Sequence, residues 1–216
     1  MFHATKSFHS IEGGLLTFKE SGLKGIFDYL KNFGFKNELE VVMPGTNAKM
    51  NEMQALMGSL HLKYHEEVIS KRAMITNLYR QRLGETPGIY LVPPLSADIV
   101  YNHAYMPIEV DEEEFGMSRD ALCERLKEYN IHSRRYFYPL ICDYACYRNV
   151  SVKDPLIVAR RAADRILTLP IYDSLQLSDV EAICEIVTLL QRGMEDEVDP
   201  VVKTVEFGKP RYASGL

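Results

Sequence analysis

The sequence predicts a mixed fold of short β-strands and α-helices, of the α/β or α+β class, in its carboxy-terminal half. Short apolar runs alternate with helical segments between about Thr86 and Arg192, and one unusually long helical segment precedes them. Of the 216 residues 46% are apolar and 25% are charged, which is ample for a buried core and ordinary for a globular protein.

The longest helical pattern covers 51–83, where apolar residues recur every three or four positions along one stripe. Asn51 and Gln54 predict a capping box at its start. A helix of this length exceeds what a small domain covers, so we expect it to bridge two domains, with or without a kink. The stripe consists of Met53, Leu56, Met57, Leu60, Tyr64, Val68, Ile75, Leu78 and Tyr79.

The first fifty residues predict few elements. Leu15 to Phe18 form a short apolar run typical of a strand, and 22–34 has helical spacing that ends at Gly34. Pro44 and Gly45 mark the loop that follows. One strand, one helix and a loop are too little to bury a core by themselves.

The carboxy-terminal elements follow from local signals. Leu122 and Leu126 face inward on a predicted helix, Pro155 stands in the first turn of another, and Ser178 with Glu181 forms the capping box of the last. Alternation places Ala104, Met106, Ile108 and Val110 on one strand face, and helical spacing groups Val180, Ile183, Ile186, Val187 and Leu190. The predicted strands cover 89–94, 103–110, 131–139 and 169–172, the helices cover 118–129, 154–167 and 178–191, and 193–216 is a tail.

Charge and hydropathy exclude several classes of function. The net charge of -5 gives no general attraction to nucleic acid or to anionic lipid, so neither is an expected partner. No apolar run approaches the roughly 20 residues that cross a bilayer. Met1 is followed by a polar, histidine-containing segment instead of a basic stub and an apolar stretch, which argues against a signal peptide. We expect a cytoplasmic protein.

Two pairs of residues have spacings that suggest a metal site. Cys142 and Cys146 are separated by three residues, and His61 and His65 lie four apart on the long helix. Neither pair has further ligands at matching spacing, so we expect no metal and favour buried or half-buried free thiols in a reducing compartment. The other cysteines are Cys123 and Cys184.

The segment FHATKSFHSIEGG, residues 2–14, contains the residue with the clearest chemical potential. The amine of Lys6 becomes a nucleophile when its charge is destabilised, and it then condenses with an aldehyde. Thr5 and Ser7 are suited to bind phosphate, His3 has an aromatic face for a ring, and the glycine pair 13–14 allows a sharp reversal of the chain. The alternative is a solvated lysine in a flexible amino terminus, which chemistry alone favours.

Four segments in order resemble the DegT/DnrJ/StrS aminotransferases, pyridoxal phosphate enzymes that act on nucleotide-linked keto-sugars. The resemblance covers roughly residues 2 to 192, and its motifs together are specific. The segments are FHATKSFHSIEGG, PGTNAKMNEMQALMGSLHL, EEEFGMSRDALCERLKEYNIHSRRYFYPL and ADRILTLPIYDSLQLSDVEAICEIV.

The resemblance implies an α/β fold of the aspartate-aminotransferase type (fold type I), usually a homodimer with active sites at the subunit interface. The corresponding division is a remnant of the cofactor-binding large domain at 1–50, a connecting helix at 51–85, a small α/β domain at 86–192 and a tail at 193–216.

The resemblance also implies the chemistry. Lys6 would hold pyridoxal 5'-phosphate through its amine and then move a proton between cofactor and substrate carbons, with His3 beside the cofactor. An amino acid donor, commonly glutamate, would supply the nitrogen for a sugar ketone, in amino-sugar or surface-polysaccharide biosynthesis. The form of the lysine segment suggests deoxythymidine- or uridine-diphosphate 4-keto-6-deoxy sugars.

Further site residues come from the same resemblance. Either Asn47 or Lys49 would reach the cofactor phosphate of the neighbouring subunit, near a helix start that favours anions. Arg134, Arg135 and Tyr136 lie in a segment near the substrate entrance, where an arginine can grip a diphosphate or a carboxylate. Alternation along a strand would turn at most one of the two arginines inward, and a plain surface role is as well supported.

Two other functions compete with transamination. A dehydratase of the same family has histidine in place of the lysine, so Lys6 argues against it. A non-catalytic module would expose an apolar face along Met53 to Tyr79 that only a partner covers. Because family members have this lysine near their middle, residues preceding Met1 would carry the phosphate cradle and the acid that pairs with the pyridine nitrogen. We therefore expect weak or no transaminase activity from this chain alone.

Overall fold

The computed structural model describes residues 1–93, 96, 98–150 and 154–194, so most of the predicted tail lies outside the described residues. The chain divides into two units, Met1–Glu66 and Glu67–Leu216, with the boundary inside the long helix. The predicted four-part division stays a prediction.

The helices are α1 (Leu23–Leu30), α2 (Glu52–Leu83), α3 (Glu112–Phe115), α4 (Arg119–Glu128), α5 (Ile157–Arg165) and α6 (Leu177–Arg192), and the strands are β1 (Ile89–Leu91), β2 (Met106–Val110) and β3 (Ile166–Leu169).

The second unit is organised by a three-stranded antiparallel sheet in the order β1-β2-β3. β2 is central, with Ile108 opposite both Leu91 and Leu167. Met106, Ile108 and Val110 are buried while the residues between them are half-buried, so the alternation predicted for this strand is confirmed.

Two helices supply most of the remaining core. α4 packs against α6 and β3, and its Leu122 and Leu126 are fully buried, as predicted. All five apolar residues predicted for the last helix are buried on one face of α6. The core comprises Ile75, Tyr79, Leu83, Ile89, Met106, Ile108, Val110, Phe115, Leu122, Cys123, Leu126, Tyr129, Ile131, Leu167, Leu169, Leu175, Val180, Ile183, Cys184, Ile186, Val187 and Leu190.

The end of α2 is tied to the second unit by buried polar contacts. The Arg72 guanidinium donates to the carbonyl of Ile171 at 3.2 Å and lies 3.4 Å from that of His103. The Tyr79 hydroxyl donates to the Pro170 carbonyl at 3.0 Å. Burial lowers the pKa of Arg72 and raises that of Tyr79 well above its usual value, because each charged form loses hydration.

Side-chain caps explain where the two central helices begin. Asp111 accepts hydrogen bonds from the backbone N–H groups of Glu113 and Glu114 at the start of α3. Ser118 accepts from Ala121 at the start of α4. The capping box predicted for the last helix is wrong, because α6 begins one residue before Ser178, after Gln176, and has no side-chain cap.

The predicted ends of the α5 segment and the following strand need correction. α5 begins at Ile157, so Pro155 precedes its first turn, and Asp154 accepts a hydrogen bond from the Leu156 N–H. The strand predicted at 169–172 lies instead at Ile166–Leu169, paired with β2. Pro170 has no N–H to donate to a neighbouring strand, which is consistent with the ladder ending at Leu169.

The strand predicted at 131–139 does not form. Among the described residues its only pairing is an isolated bridge between Arg134 and Thr168, with N···O distances of 3.0 and 2.8 Å in the two directions. Phe137 has a left-handed φ of 56°, which departs from extended geometry. The segment is therefore a turn-rich loop anchored at one point on the sheet.

The first unit has almost no buried side chain of its own, with only Ser10 and Gly34 buried among residues 1–66. α1 confirms the predicted helix, and Gly34 (φ 81°) follows it with its N–H returning to the Tyr29 carbonyl. The strand predicted at 15–18 is absent, and Leu15 remains 72% exposed. A strand needs a paired neighbour, and this unit contains only isolated bridges.

α2 confirms the predicted long helix and its cap. Asn51 accepts from the Gln54 N–H at 2.9 Å, and the Gln54 side chain accepts from the Asn51 N–H at 3.3 Å. The predicted stripe is buried only toward its end, where Ile75 and Tyr79 enter the core. No helix in the described part of the chain is long and apolar enough to span a membrane.

All four cysteines are free thiols. Cys123 and Cys184 are buried and Cys142 is half-buried, as predicted, whereas Cys146 is exposed and corrects that prediction. Burial raises the pKa of the Cys184 thiol to about 12, so this thiol stays protonated near neutral pH. No cluster of three or more metal-binding side chains occurs among residues 1–93, 96, 98–150 and 154–194.

We expect Ile186→Ala to lower the free energy of unfolding of the second unit by about 2–5 kcal/mol, because it opens a cavity in a fully buried position. Ile157→Ala removes the same atoms at a position that is 72% exposed. It should change the free energy of unfolding by less than about 0.5 kcal/mol. Urea titrations followed by circular dichroism measure both. Equal losses would contradict the core described above.

Candidate functional site

Lys6 lies in a closed loop of residues 2–13, which we call the lysine loop. The Phe2 N–H donates to the Gly13 carbonyl at 2.7 Å, and the Ser10 N–H donates to the Phe2 carbonyl at 3.0 Å. These two bonds join the ends of the loop. Within it, the Lys6 N–H donates to the His3 carbonyl at 3.0 Å and forms a tight turn, and the Lys6 side chain is half-buried.

The lysine loop packs on the beginning of α2 through aromatic rings. The His9 ring lies 3.9 Å from that of His61, centroid to centroid, and the Phe8 ring meets His65 edge-on at 5.6 Å. The two histidines that the sequence paired as possible metal ligands therefore contact loop rings. Phe2 also packs edge-on against Phe8 at 5.0 Å inside the loop.

The loop closes at a glycine whose backbone conformation other residues rarely adopt. Gly13 has φ of 153°, and a Cβ there would stand 2.6 Å from Ser10 Oγ and 2.8 Å from Met50 Cε. Ser10 is 1% exposed, and its hydroxyl donates to the Glu12 carbonyl at 2.8 Å. A Cβ at Gly58 of α2 would stand 3.4 Å from Ser10 Cβ, so the buried serine lies close against the helix.

Both ring nitrogens of His3 have partners inside the loop. Nδ1 lies 3.0 Å from the Thr5 hydroxyl and accepts from the Thr5 N–H at 3.3 Å. Nε2 lies 3.2 Å from a carboxylate oxygen of Glu12. Its predicted role beside a cofactor ring stays a prediction. Sequence reasoning missed the contacts of Glu12 and Ser10, although both belong to the quoted motif.

Asn47 and Lys49 lie beside the end of α1. Asn47 forms an isolated bridge with Asn32 and is exposed. The Lys49 amine donates to Asn32 Oδ1 at 2.8 Å and lies 4.5 Å from the centroid of the Phe33 ring. In the described part of the chain the Asn47 side chain makes no hydrogen bond. Asn47 therefore has its amide available, whereas the amine of Lys49 is engaged.

The arginines of the 131–139 segment differ in their partners. Arg135 contacts Asp120 at 3.2 Å and Glu124 at 3.7 Å. Arg134 interacts with the hydroxyl of half-buried Tyr136. Both arginines are exposed, and no strand forms there to set an alternation of faces. Burial, followed by the neighbouring Tyr105, raises the pKa of Tyr136, which keeps its phenol protonated.

The chain downstream of Tyr136 forms an apolar groove of about 600 Å³, and sequence reasoning missed it. The aromatic composition of the segment LICDYACY, residues 140–147, was the sequence signal that could have indicated this groove. Arg160 lies beside the groove and forms a two-oxygen contact with Asp143 at 3.0 and 3.1 Å. The lining residues are Phe137, Pro139, Leu140, Ile141, Cys142, Tyr144, Tyr147, Val150 and Leu156.

Comparison with known proteins gives consistent matches. The model of the DegT/DnrJ/EryC1/StrS aminotransferase family matches residues 1–188. An Escherichia coli dTDP-4-amino-4,6-dideoxy-D-glucose transaminase is 43% identical over 187 residues, covering 86% of this chain and 49% of the relative. The Shigella dysenteriae protein of the same name is 39% identical over 182 residues, covering 84% and 49%.

A solved structure agrees with these relatives. DesI, analysed in the presence of its TDP-sugar product, superposes with a TM-score of 0.79 at 33% identity, covering 90% of this chain and 49% of that chain. The chain thus spans about half the length of the relatives it matches.

We expect Gly13→Ala to open the lysine loop, because the new Cβ collides with Ser10 and residue 13 would be strained at its φ. Gly14→Ala is a matched control, since a Cβ at Gly14 meets nothing within 4 Å. Amide hydrogen exchange of residues 2–13 should accelerate about tenfold or more in the first variant only. Equal exchange in both variants would show that Gly13 does not hold the loop closed.

Proposed function

The chain belongs to the DegT/DnrJ/EryC1/StrS aminotransferase family, and we propose that it serves the pyridoxal phosphate-dependent transamination of a nucleotide-linked keto-sugar. The observation that carries the proposal is the family match across residues 1–188, which includes Lys6 in its closed loop. The amino donor is an amino acid, with glutamate the first candidate, and the product serves amino-sugar or surface-polysaccharide biosynthesis.

The residues present suit one end of this cofactor. Lys6 offers a half-buried amine on a backbone turn fixed by the His3 carbonyl, and a neutral lysine amine both reacts with an aldehyde and accepts a proton. When bound, pyridoxal phosphate supplies the electron sink that makes removal of a carbon-bound proton feasible. Lys6 would hold the cofactor through its amine, and the same amine would accept and return the proton.

Asn47 is our choice over Lys49 for the cofactor phosphate of a neighbouring subunit. Its amide is exposed and has no hydrogen bond among the described residues, whereas Lys49 donates to Asn32. Asn47 also lies shortly before the first turn of α2, and helix starts favour anions. This assignment requires a homodimer in which each subunit contributes to the other's site.

For the substrate we propose Arg134 and Tyr136 ahead of Arg135. Arg135 is already paired with two carboxylates on α4, and a guanidinium in such contacts is less available for a second anion. Tyr136 remains protonated and can donate a hydrogen bond. Either a nucleotide diphosphate or the carboxylate of the amino donor suits Arg134.

The relatives narrow the substrate class. Two of them are named as transaminases of dTDP-4-amino-4,6-dideoxy-D-glucose, and DesI was analysed with its TDP-sugar product. We propose a deoxythymidine-diphosphate 4-keto-6-deoxy sugar, with the uridine-diphosphate analogue as the comparison substrate.

Borohydride reduction in the presence of pyridoxal phosphate should fix the cofactor to Lys6 in preference to exposed Lys63, as measured by peptide mass spectrometry. Lys6→Ala should abolish the specific label and the cofactor absorbance, because the reactive amine is gone. Lys63→Ala removes a lysine of the same unit and should retain both. Labelling of Lys6 no stronger than that of Lys63 would contradict the proposal.

A non-catalytic dimerising module is the second candidate. It is favoured by the exposed apolar side chains at the start of α2, where Met53 is 68%, Leu56 54%, Leu60 42% and Tyr64 60% exposed. Exposed apolar surface of this extent on one helix marks an interaction face. We propose that a second copy covers this face for either candidate, so labelling at Lys6, expected for the enzyme alone, separates the two.

Size-exclusion chromatography with light scattering should show a defined dimer, twice the 24.8 kDa mass of one chain. Leu56→Glu together with Leu60→Glu should shift the population toward monomer, because each places a charge in the buried face. Glu52→Gln with Glu66→Gln is a control on the same helix. A well-folded monomer in the unmodified protein would contradict the homodimer.

A further inference from the structure

We propose that Glu12 and His3 act together as a positioning pair for the Lys6 amine, a role that rests on the proposed function of Lys6. Glu12 reaches across the lysine loop to His3 Nε2 at 3.2 Å. The His3 carbonyl in turn accepts the Lys6 N–H at 3.0 Å. His3 is therefore the residue through which Glu12 acts on the lysine turn, and neither residue needs to touch the cofactor.

The hydrogen bonds assign one form of the His3 ring. Nδ1 accepts from the Thr5 N–H at 3.3 Å and lies 3.0 Å from the Thr5 hydroxyl, so Nδ1 carries no proton. The proton of the neutral ring is then on Nε2, where it is donated to the Glu12 carboxylate. A carboxylate that selects the tautomer and orientation of an imidazole is an established means of fixing a neighbouring group.

Glu12 is itself fixed by the buried part of the loop. Its N–H donates to the Ser10 carbonyl at 2.9 Å, and its carbonyl accepts the Ser10 hydroxyl at 2.8 Å. Ser10 is 1% exposed and lies against Gly58 of α2. A continuous chain of contacts thus runs from the helix through Ser10, Glu12 and His3 to the backbone of Lys6.

The exposure of the two side chains limits how strongly the Glu12–His3 pair can act on Lys6. The side chains of His3 and Glu12 are 32% and 58% exposed, so solvent screens their attraction. The pair should therefore tune the position of Lys6 and should not decide whether the loop folds. Loop closure depends on backbone bonds that do not involve the Glu12 side chain, namely those of Phe2 with Gly13 and Ser10.

Glu12→Ala removes the acceptor, whereas Glu12→Gln retains an oxygen that can accept from Nε2. Glu20→Ala removes an exposed carboxylate elsewhere in the same unit and serves as the charge control. Without cofactor, the imidazole ¹⁵N shifts of His3 should report the Nε2–H form in all four proteins, because the Thr5 N–H still donates to Nδ1. The Nε2 signal should move only in Glu12→Ala, where the acceptor of its hydrogen bond is lost.

Reductive labelling with pyridoxal phosphate gives the second readout. The label on Lys6 relative to Lys63 should fall about two- to fivefold in Glu12→Ala and be retained in the other two variants. Unchanged labelling overturns the proposal, whether or not the Nε2 signal moves. If the unmodified protein does not label Lys6 preferentially, the proposed function fails and the positioning role with it, while the ¹⁵N shifts still show whether the contact exists.

Discussion

Closure of the lysine loop at Gly13 is the constraint on which the candidate site depends. The carbonyl of Gly13 accepts the Phe2 N–H, and the absence of a side chain there leaves room for buried Ser10. Ser10 holds Glu12, and Glu12 contacts the ring of the residue that holds the Lys6 backbone. A reactive amine on a flexible segment would lose much of the benefit of orientation, so closure of the loop supports the role proposed for Lys6.

The two units bury their residues very differently. In the second unit a three-stranded sheet, α4 and α6 enclose a continuous apolar core, with the sheet residues Ile108 and Leu167 fully buried. In the first unit the order comes from backbone hydrogen bonds, ring contacts and two isolated bridges, and most apolar side chains remain exposed. The exposed apolar side chains along the start of α2 therefore form a face of the kind that marks an interaction surface.

The partners of each charged side chain narrow the choice of site residues. The Lys49 amine donates to Asn32, and Arg135 is paired with the carboxylates of Asp120 and Glu124. The Asn47 side chain has no hydrogen bond in the described part of the chain, and Arg134 contacts the neutral hydroxyl of Tyr136. Candidate residues that lie close in the sequence are thus distinguished by their contacts. Their spacing along the chain carries no information about those contacts.

Much of the candidate site was predictable because its signal is local. The motif around Lys6 contains the lysine proposed as reactive and the glycine at which the chain reverses, and both lie in one short closed loop. The contacts of the His3 ring were less accessible, because both ring nitrogens are engaged by residues of the loop, Thr5 and Glu12, whose geometry depends on how the loop closes. The groove beside Phe137 was missed because it forms from a turn-rich segment that the alternating pattern suggested was a strand.

The sequence by itself determined the long helix and its Asn51 cap and the inward faces of β2 and α6, since periodicity and capping act within a few residues. It also determined the family of the chain, through the four segments that resemble the family in order. Only the tertiary structure decided that 15–18 and 131–139 are not strands and that the last strand starts at Ile166. Strand formation requires a partner backbone, and β3 has one in β2 whereas 15–18 has none in its own unit. Pairing between distant segments is a property of the assembled fold, so a local pattern can nominate a strand but cannot supply its neighbour.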